Sequence, residues 1–160
     1  MSELNGPAEP TPLRFEGDFA VVAAQETVWQ ALTDPEWLAD CVPGLLRYEM
    51  VGPDHFAGVA SVDLVRGEVR QFPVTVRWSE MTAPATGRLH GQTRIEKTAV
   101  EWQAVMNLAT VEQSTTIAWE AAVTLPDATP QLQRLLRPLL LQLVRRAVTT
   151  FLTCVKTRLE

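Results

Sequence analysis

A chain of 160 residues is long enough for one domain built around one core. Apolar residues make up 46% of it, which excludes a disordered chain, and a net charge of −5, from 19 acidic and 14 basic side chains, excludes a nucleic-acid module with a broad basic face. Two cysteines, Cys41 and Cys154, are too few for a disulfide-stapled secreted scaffold, so both are expected to be reduced thiols in the cytoplasm.

Residues 1–12 carry Glu3, Glu9 and three prolines, with no basic region and no apolar run. They read as a flexible leader rather than a signal peptide, and the folded domain is expected to cover 13–160. The longest apolar stretches fall far short of the roughly 20 residues a membrane span needs. From Leu13 to Ala23, Leu13, Phe15, Gly17, Phe19 and Val21 alternate with more polar neighbours. A period of two with one apolar face predicts a half-buried strand. Gln25 to Gly44 reads as two short helices. Val28, Trp29 and Leu32 give the first its helical spacing, and Trp29 anchors it. Asp34-Pro35 opens the second as N-cap and first helical residue, Leu38 and Cys41 form its inner face, and Pro43-Gly44 ends it.

From Leu45 to Thr124 the pattern returns to strands: Leu45–Val51, Phe56–Leu64, Val69–Met81, Thr86–Arg94, Val100–Leu108 and Thr115–Thr124. Alternation is clearest at Phe72, Val74, Val76, Trp78, at Val100, Trp102, Ala104, Met106, Leu108, and at Ile117, Trp119, Ala121, Val123. The breaks fall at Gly52-Pro53, Gly67, Ala83-Pro84 and Glu112 to Thr115. Such short gaps favour an antiparallel meander. Pro130 to Glu160 reads as a long helix capped by Thr129. Its expected inner face is Leu132, Leu136, Leu139, Leu143, Ala147, Thr150, Phe151 and Cys154. Pro138 predicts a kink or break near Arg137, or a short lid helix ahead of the main one. The chain is therefore expected to be α+β: a curved antiparallel sheet of six or seven strands around a long C-terminal helix, with two short helices after the first strand.

The residues Phe15-Glu16-Gly17-Asp18-Phe19, and the run from Val28-Trp29 through Leu32-Thr33-Asp34-Pro35-Glu36-Trp37-Leu38-Ala39-Asp40-Cys41-Val42-Pro43-Gly44, carry a resemblance. This pattern resembles the CoxG family, named for the G subunit of carbon monoxide dehydrogenase, within the START-like (SRPBCC) helix-grip superfamily. The resemblance implies a helix-grip fold with a deep apolar cavity for a lipid- or quinone-like molecule. It implies a non-enzymatic accessory role, in which the protein helps a molybdenum hydroxylase of the carbon monoxide dehydrogenase type associate with the membrane. The superfamily also contains polyketide cyclases, so a cyclase or hydratase is the alternative, and an interaction module with a filled core is another. Family members usually carry a glycine-rich stretch around the fifth and sixth strands. Here Gly91 to Ala99 holds one glycine and Trp102 follows, which implies a smaller or differently shaped cavity.

Phe72, Trp78, Trp102 and Trp119, with Met106, either fill the core or line a pocket. Leu38, Leu143, Ala147 and Phe151 complete the expected cavity. Catalytic and metal-binding constellations are not expected, and no cofactor is. His55 lies in a turn, His90 alternates with apolar Leu89, and Asp63 is flanked by Val62 and Leu64. On the other side of the last helix, Arg134, Arg137, Arg145 and Lys156 share a stripe with Leu141, Val148 and Leu152. Such a stripe is a solvated face, a homodimer contact, or a docking surface for an anionic membrane or a partner such as the hydroxylase.

Overall fold

The computed structural model describes residues 12–65, 68–95 and 97–160, with the side chains of 62–68 set aside. The expected leader and the break at Gly67 lie outside the described residues, apart from Pro12. Ten elements follow in chain order: β1 (Leu13–Val21), α1 (Gln25–Leu32), α2 (Pro35–Ala39), β2 (Leu45–Gly52), β3 (His55–Val65), β4 (Glu68–Thr82), β5 (Thr86–Ile95), β6 (Thr98–Val111), β7 (Ser114–Thr124) and α3 (Pro130–Leu159). The seven strands form one antiparallel sheet in the order β1-β7-β6-β5-β4-β3-β2. The meander expected from the short gaps is thus present, and β1 crosses to pair with the last strand.

Register fixes the two faces. Val76, Gly91, Trp102, Val123 and Leu13 lie in one row across five strands, and Trp78, Leu89, Ala104, Ala121 and Phe15 in the next. Directly opposed residues point to the same side of a sheet, so this face is apolar from edge to edge. It packs against α3 and is the concave side. Arg77, His90, Gln103, Ala122 and Arg14 form a row of the opposite, convex face.

The short helices begin as their sequence dictates. Asp34 caps α2 by accepting from the Glu36 amide at 3.0 Å, with Pro35 behind it. Trp29 is 7% exposed and sits in the core with Val28, Leu32 and Leu38. Gln25 ties α1 to the strand ends through the carbonyl oxygens of Pro84, at 2.9 Å, and Leu108, at 3.3 Å. Gly44 holds φ of 74°, and a side chain there would overlap the Ser61 carbonyl, so the turn into β2 requires glycine.

The core falls into two clusters. One, around Val21, Val28, Phe56, Val76, Trp78, Met106, Ile117 and Val155, lies beneath α1, α2 and the end of α3. The other gathers Leu13, Val100, Val123, Leu125 and Leu140 beneath the start of α3. Trp102 packs against both.

Helix α3 departs from expectation in three ways. It runs unbroken through Pro138. Its buried residues are Leu140 and Val155, with Leu136, Leu141 and Val144 against one cluster and Phe151, Cys154 and Leu159 against the other. The helix is therefore turned by about one residue from the expected face, and Thr150 is exposed. Finally, Cys41 and Cys154 are joined in a disulfide rather than reduced. Cysteine number says nothing of proximity: folding brings residues 113 apart in sequence to a Cα separation of 5.6 Å.

Candidate functional site

The concave face under α3 is the place where the fold leaves apolar surface uncovered. Between Leu140 and Val155 the helix rises about 22 Å, and none of residues 141–154 is buried. By length and composition α3 suits a membrane span, which apolar run length alone had not indicated, yet only 11% of its most apolar window is buried. A helix that filled a core would bury its apolar stripe. The facing strands match. Phe15, Phe19, Leu89, Trp102, Ala104, Trp119 and Ala121 all belong to the concave face but stay half-buried.

Two glycines let the tryptophans lie flat on this face. A side chain at Gly91 would overlap the Trp102 indole, so the ring lies on the β5 backbone. A Cβ at Gly17 would meet Trp119 Cζ2 at 3.0 Å and Nε1 at 3.2 Å, so this ring lies on β1. The single glycine of the 91–99 stretch thus has a use: it seats the ring that stands where other family members carry more glycine.

Polar groups of this face are held within the protein. Trp78 Nε1 donates to the Leu32 carbonyl at 2.9 Å, Thr115 Oγ1 to Ala23 at 2.8 Å and Thr93 Oγ1 to Pro73 at 2.6 Å. Trp119 Nε1 differs: it is buried and, among the described residues, is the one buried side-chain nitrogen or oxygen without a hydrogen-bond partner.

The residues singled out from the sequence separate into two groups. Leu38, Trp78 and Met106 are buried inside the first cluster. Phe72, Trp102, Trp119, Leu143, Ala147 and Phe151 are half-buried. Sequence alternation found the tryptophans but not Phe15 and Phe19, which share the concave face with them. Their period-two run in β1 was visible, but not that β1 pairs with β7.

The histidines lie away from this interior. His90 is on the convex face, 3.0 Å from Ser79 Oγ. His55 pairs with Arg77 on the same side and sits 3.2 Å from Asp54, whose carboxyl is held below its ordinary value chiefly by that hydrogen bond. The Asp63 backbone pairs with Val69, and its side chain lies outside the described residues. Among the described residues no group of three His, Cys, Asp or Glu side chains is placed to hold a metal. A separate depression of about 360 Å³ opens beside Thr75, Gln92, Arg94, Glu101 and Asp127 and is largely polar.

On α3 the basic residues Arg134, Arg137, Arg145 and Lys156 are exposed, as expected. The aliphatic half of that stripe is not. Leu141 packs against the second cluster, and Val148 and Leu152 are half-buried, because the helix is turned toward them. The exposed aliphatic residue beside these arginines is Leu135, 75% exposed.

Comparison with known proteins fits this architecture. The sequence model of one family, CoxG, the G subunit of carbon monoxide dehydrogenase, matches residues 17–160. Among curated proteins none matches the chain. A conserved protein from Geobacillus kaustophilus is similar in structure, with a TM-score of 0.75, 17% identity, and coverage of 92% of this chain and 95% of that one. The allergen Ara h 8.0201 gives 0.63 at 12% identity, covering 93% of this chain and 98% of that one. The di-domain ARO/CYC protein BexL, from the BE-7585A biosynthetic pathway, gives 0.60 at 16% identity, covering 93% of this chain and 50% of that one. At these identities the likeness shows the fold, a START-like helix grip, and no more.

Proposed function

The chain belongs to the CoxG family of carbon monoxide dehydrogenase, and from that premise we propose that it is a non-enzymatic accessory protein holding an apolar, lipid- or quinone-like ligand between the concave face and α3. The observation that carries this reading is the uncovered middle of α3. Residues 141–154 and the facing aromatic side chains present apolar surface that the protein's own core leaves half-open. An apolar ligand there removes that surface from water, at about 25 cal/mol for each Å² covered. Trp102, Trp119, Leu143, Ala147 and Phe151 would touch it. The bonds within the protein made by Trp78, Thr93 and Thr115 keep the wall apolar toward such a ligand.

The same reading places the protein in the cytoplasm, with the basic side of α3 toward an anionic inner membrane surface and a molybdenum hydroxylase as its partner. The non-enzymatic reading is supported by the histidines: His90 is bonded to Ser79 on the convex side, and His55 stands beside Asp54 at a turn. Native mass spectrometry of gently purified protein tests the ligand. The expected result is an added mass of a few hundred daltons that organic solvent extracts. A bare chain that also takes up no added fatty acid or quinone would defeat the proposal.

A further inference from the structure

We propose that the Cys41–Cys154 bridge is a thiol–disulfide exchange site for a dithiol reductant, and that opening it loosens the C-terminal half of α3. The bridge joins the residues just after α2 to the last turns of α3. Its two sulfurs are unlike. Cys41 is 3% exposed, whereas Cys154 is half-buried, so an incoming thiolate reaches Cys154 Sγ. The leaving sulfur is then Cys41. Arg158 Nη1 lies 3.8 Å from Cys41 Sγ. That guanidinium is fixed in place: it stacks 4.4 Å from the Trp37 ring centroid and donates to the Trp37 carbonyl at 3.1 Å. Asp40 Oδ2, 3.8 Å from Nη2, is the carboxylate facing it and offsets part of its charge. A neighbouring cation stabilises a thiolate, and a better-stabilised thiolate leaves faster.

The step balances as follows. A thiolate of the dithiol attacks Cys154 Sγ, the disulfide bond breaks, and its electron pair goes to Cys41 Sγ beside Arg158. The second thiol of the reductant then attacks the mixed disulfide and releases Cys154. Two electrons and two protons pass to the protein, and the reductant leaves as a disulfide. The reverse reaction closes the bridge. Opening matters because α3 is lightly held. Its buried residues are Leu140 and Val155, and Val155 follows the bridged cysteine directly. Without the bridge, the last turns keep Val155, the Arg158 contacts and the bond from the Val22 amide to Glu160 Oε2. A consequence for ligand release rests on the cavity reading above.

The test uses the oxidised full chain without denaturant. Excess glutathione is added as a single-thiol trap and the adduct is mapped by mass spectrometry. It is expected on Cys154, and an adduct on Cys41 would overturn the assignment. With dithiothreitol, alkylation should reveal both thiols, and Arg158→Met should slow their appearance roughly five-fold or more. An unchanged rate in that variant, or a bridge that yields only in denaturant, would also overturn it. Hydrogen exchange should quicken across residues 148–158 after reduction while β4 and β6 stay protected; an unchanged α3 refutes the loosening. Trap position and hydrogen exchange need no substitution, so they decide even if Arg158→Met misfolds. N-phenyl-1-naphthylamine, a neutral apolar probe, should leave the reduced chain several-fold faster than the oxidised one, and equal rates count against the loosening. A chain that exchanges thiols as described but binds no probe refutes the cavity reading and leaves the exchange site standing.

Discussion

Trp78 and Trp119 are the same residue on the same face, and their surroundings set them apart. Trp78 is 4% exposed and its Nε1 meets the Leu32 carbonyl at 2.9 Å. Trp78→Phe removes that buried donor, leaves the carbonyl without it and opens a void, so a loss of about 2–4 kcal/mol is expected. Trp119 Nε1 has no partner to lose, and an orphaned donor already costs about 1–3 kcal/mol. Trp119→Phe is therefore expected to cost well under half as much. Urea unfolding of the two variants checks this, and equal losses would refute it. Gly91→Ala follows from the same geometry. Its Cβ would overlap the Trp102 indole, so the ring must leave the β5 backbone, at about 1–3 kcal/mol and with a shift in tryptophan emission. These positions were legible as strand residues from alternation alone. That one tryptophan is satisfied and the other orphaned was not, because their partners lie outside their own strands.

At the scale of the element, α3 shows what local sequence can and cannot fix. Its start was legible: Thr129 Oγ1 accepts from the Leu132 amide at 3.1 Å, a contact within four residues of chain. Thr129→Ala is expected to cost about 1 kcal/mol. Its facing was not legible. Leu135, Leu136, Leu139, Leu140, Leu141, Leu143 and Val144 crowd one stretch, so apolar spacing suits more than one face. The sheet makes the choice, through Leu13, Val100 and Val123 around Leu140. Nor did Pro138 end the helix. It forgoes one backbone bond, and neither it nor Arg137 is buried, so water can serve the freed carbonyl. Pro138→Ala is accordingly expected to raise stability by about 1–3 kcal/mol, read as a higher melting temperature. A lower one would mean that the proline shapes the helix over the interior. The disulfide was illegible for a related reason, since its two ends meet only when α3 lies across α2.

For the whole molecule the governing feature is how charge is divided. Helix α3 carries six basic residues and no acidic one, which leaves eight basic against 19 acidic residues elsewhere. The protein is thus polarised although its net charge is negative. A surface of anionic lipid would attract α3 and repel the rest, which orients the molecule as well as binding it. Leu135, 75% exposed among Arg134 and Arg137, would enter the interface as the apolar contact. The two contributions are separable by salt. Charge attraction is screened as the Debye length falls from about 10 Å at 0.1 M salt to about 3 Å at 1 M, and apolar burial is not. Sedimentation with phosphatidylglycerol vesicles is therefore expected to be strong at low salt and lost toward 1 M. Replacing Arg134, Arg137 and Arg145 by glutamate should abolish it at every salt concentration. Leu135→Ser should weaken it while leaving its salt dependence unchanged. Sedimentation of the triple-glutamate variant at the unsubstituted level would refute the membrane role of this face. The cavity would then have to exchange its ligand by another route, with the hydroxylase partner as the remaining candidate for the basic surface.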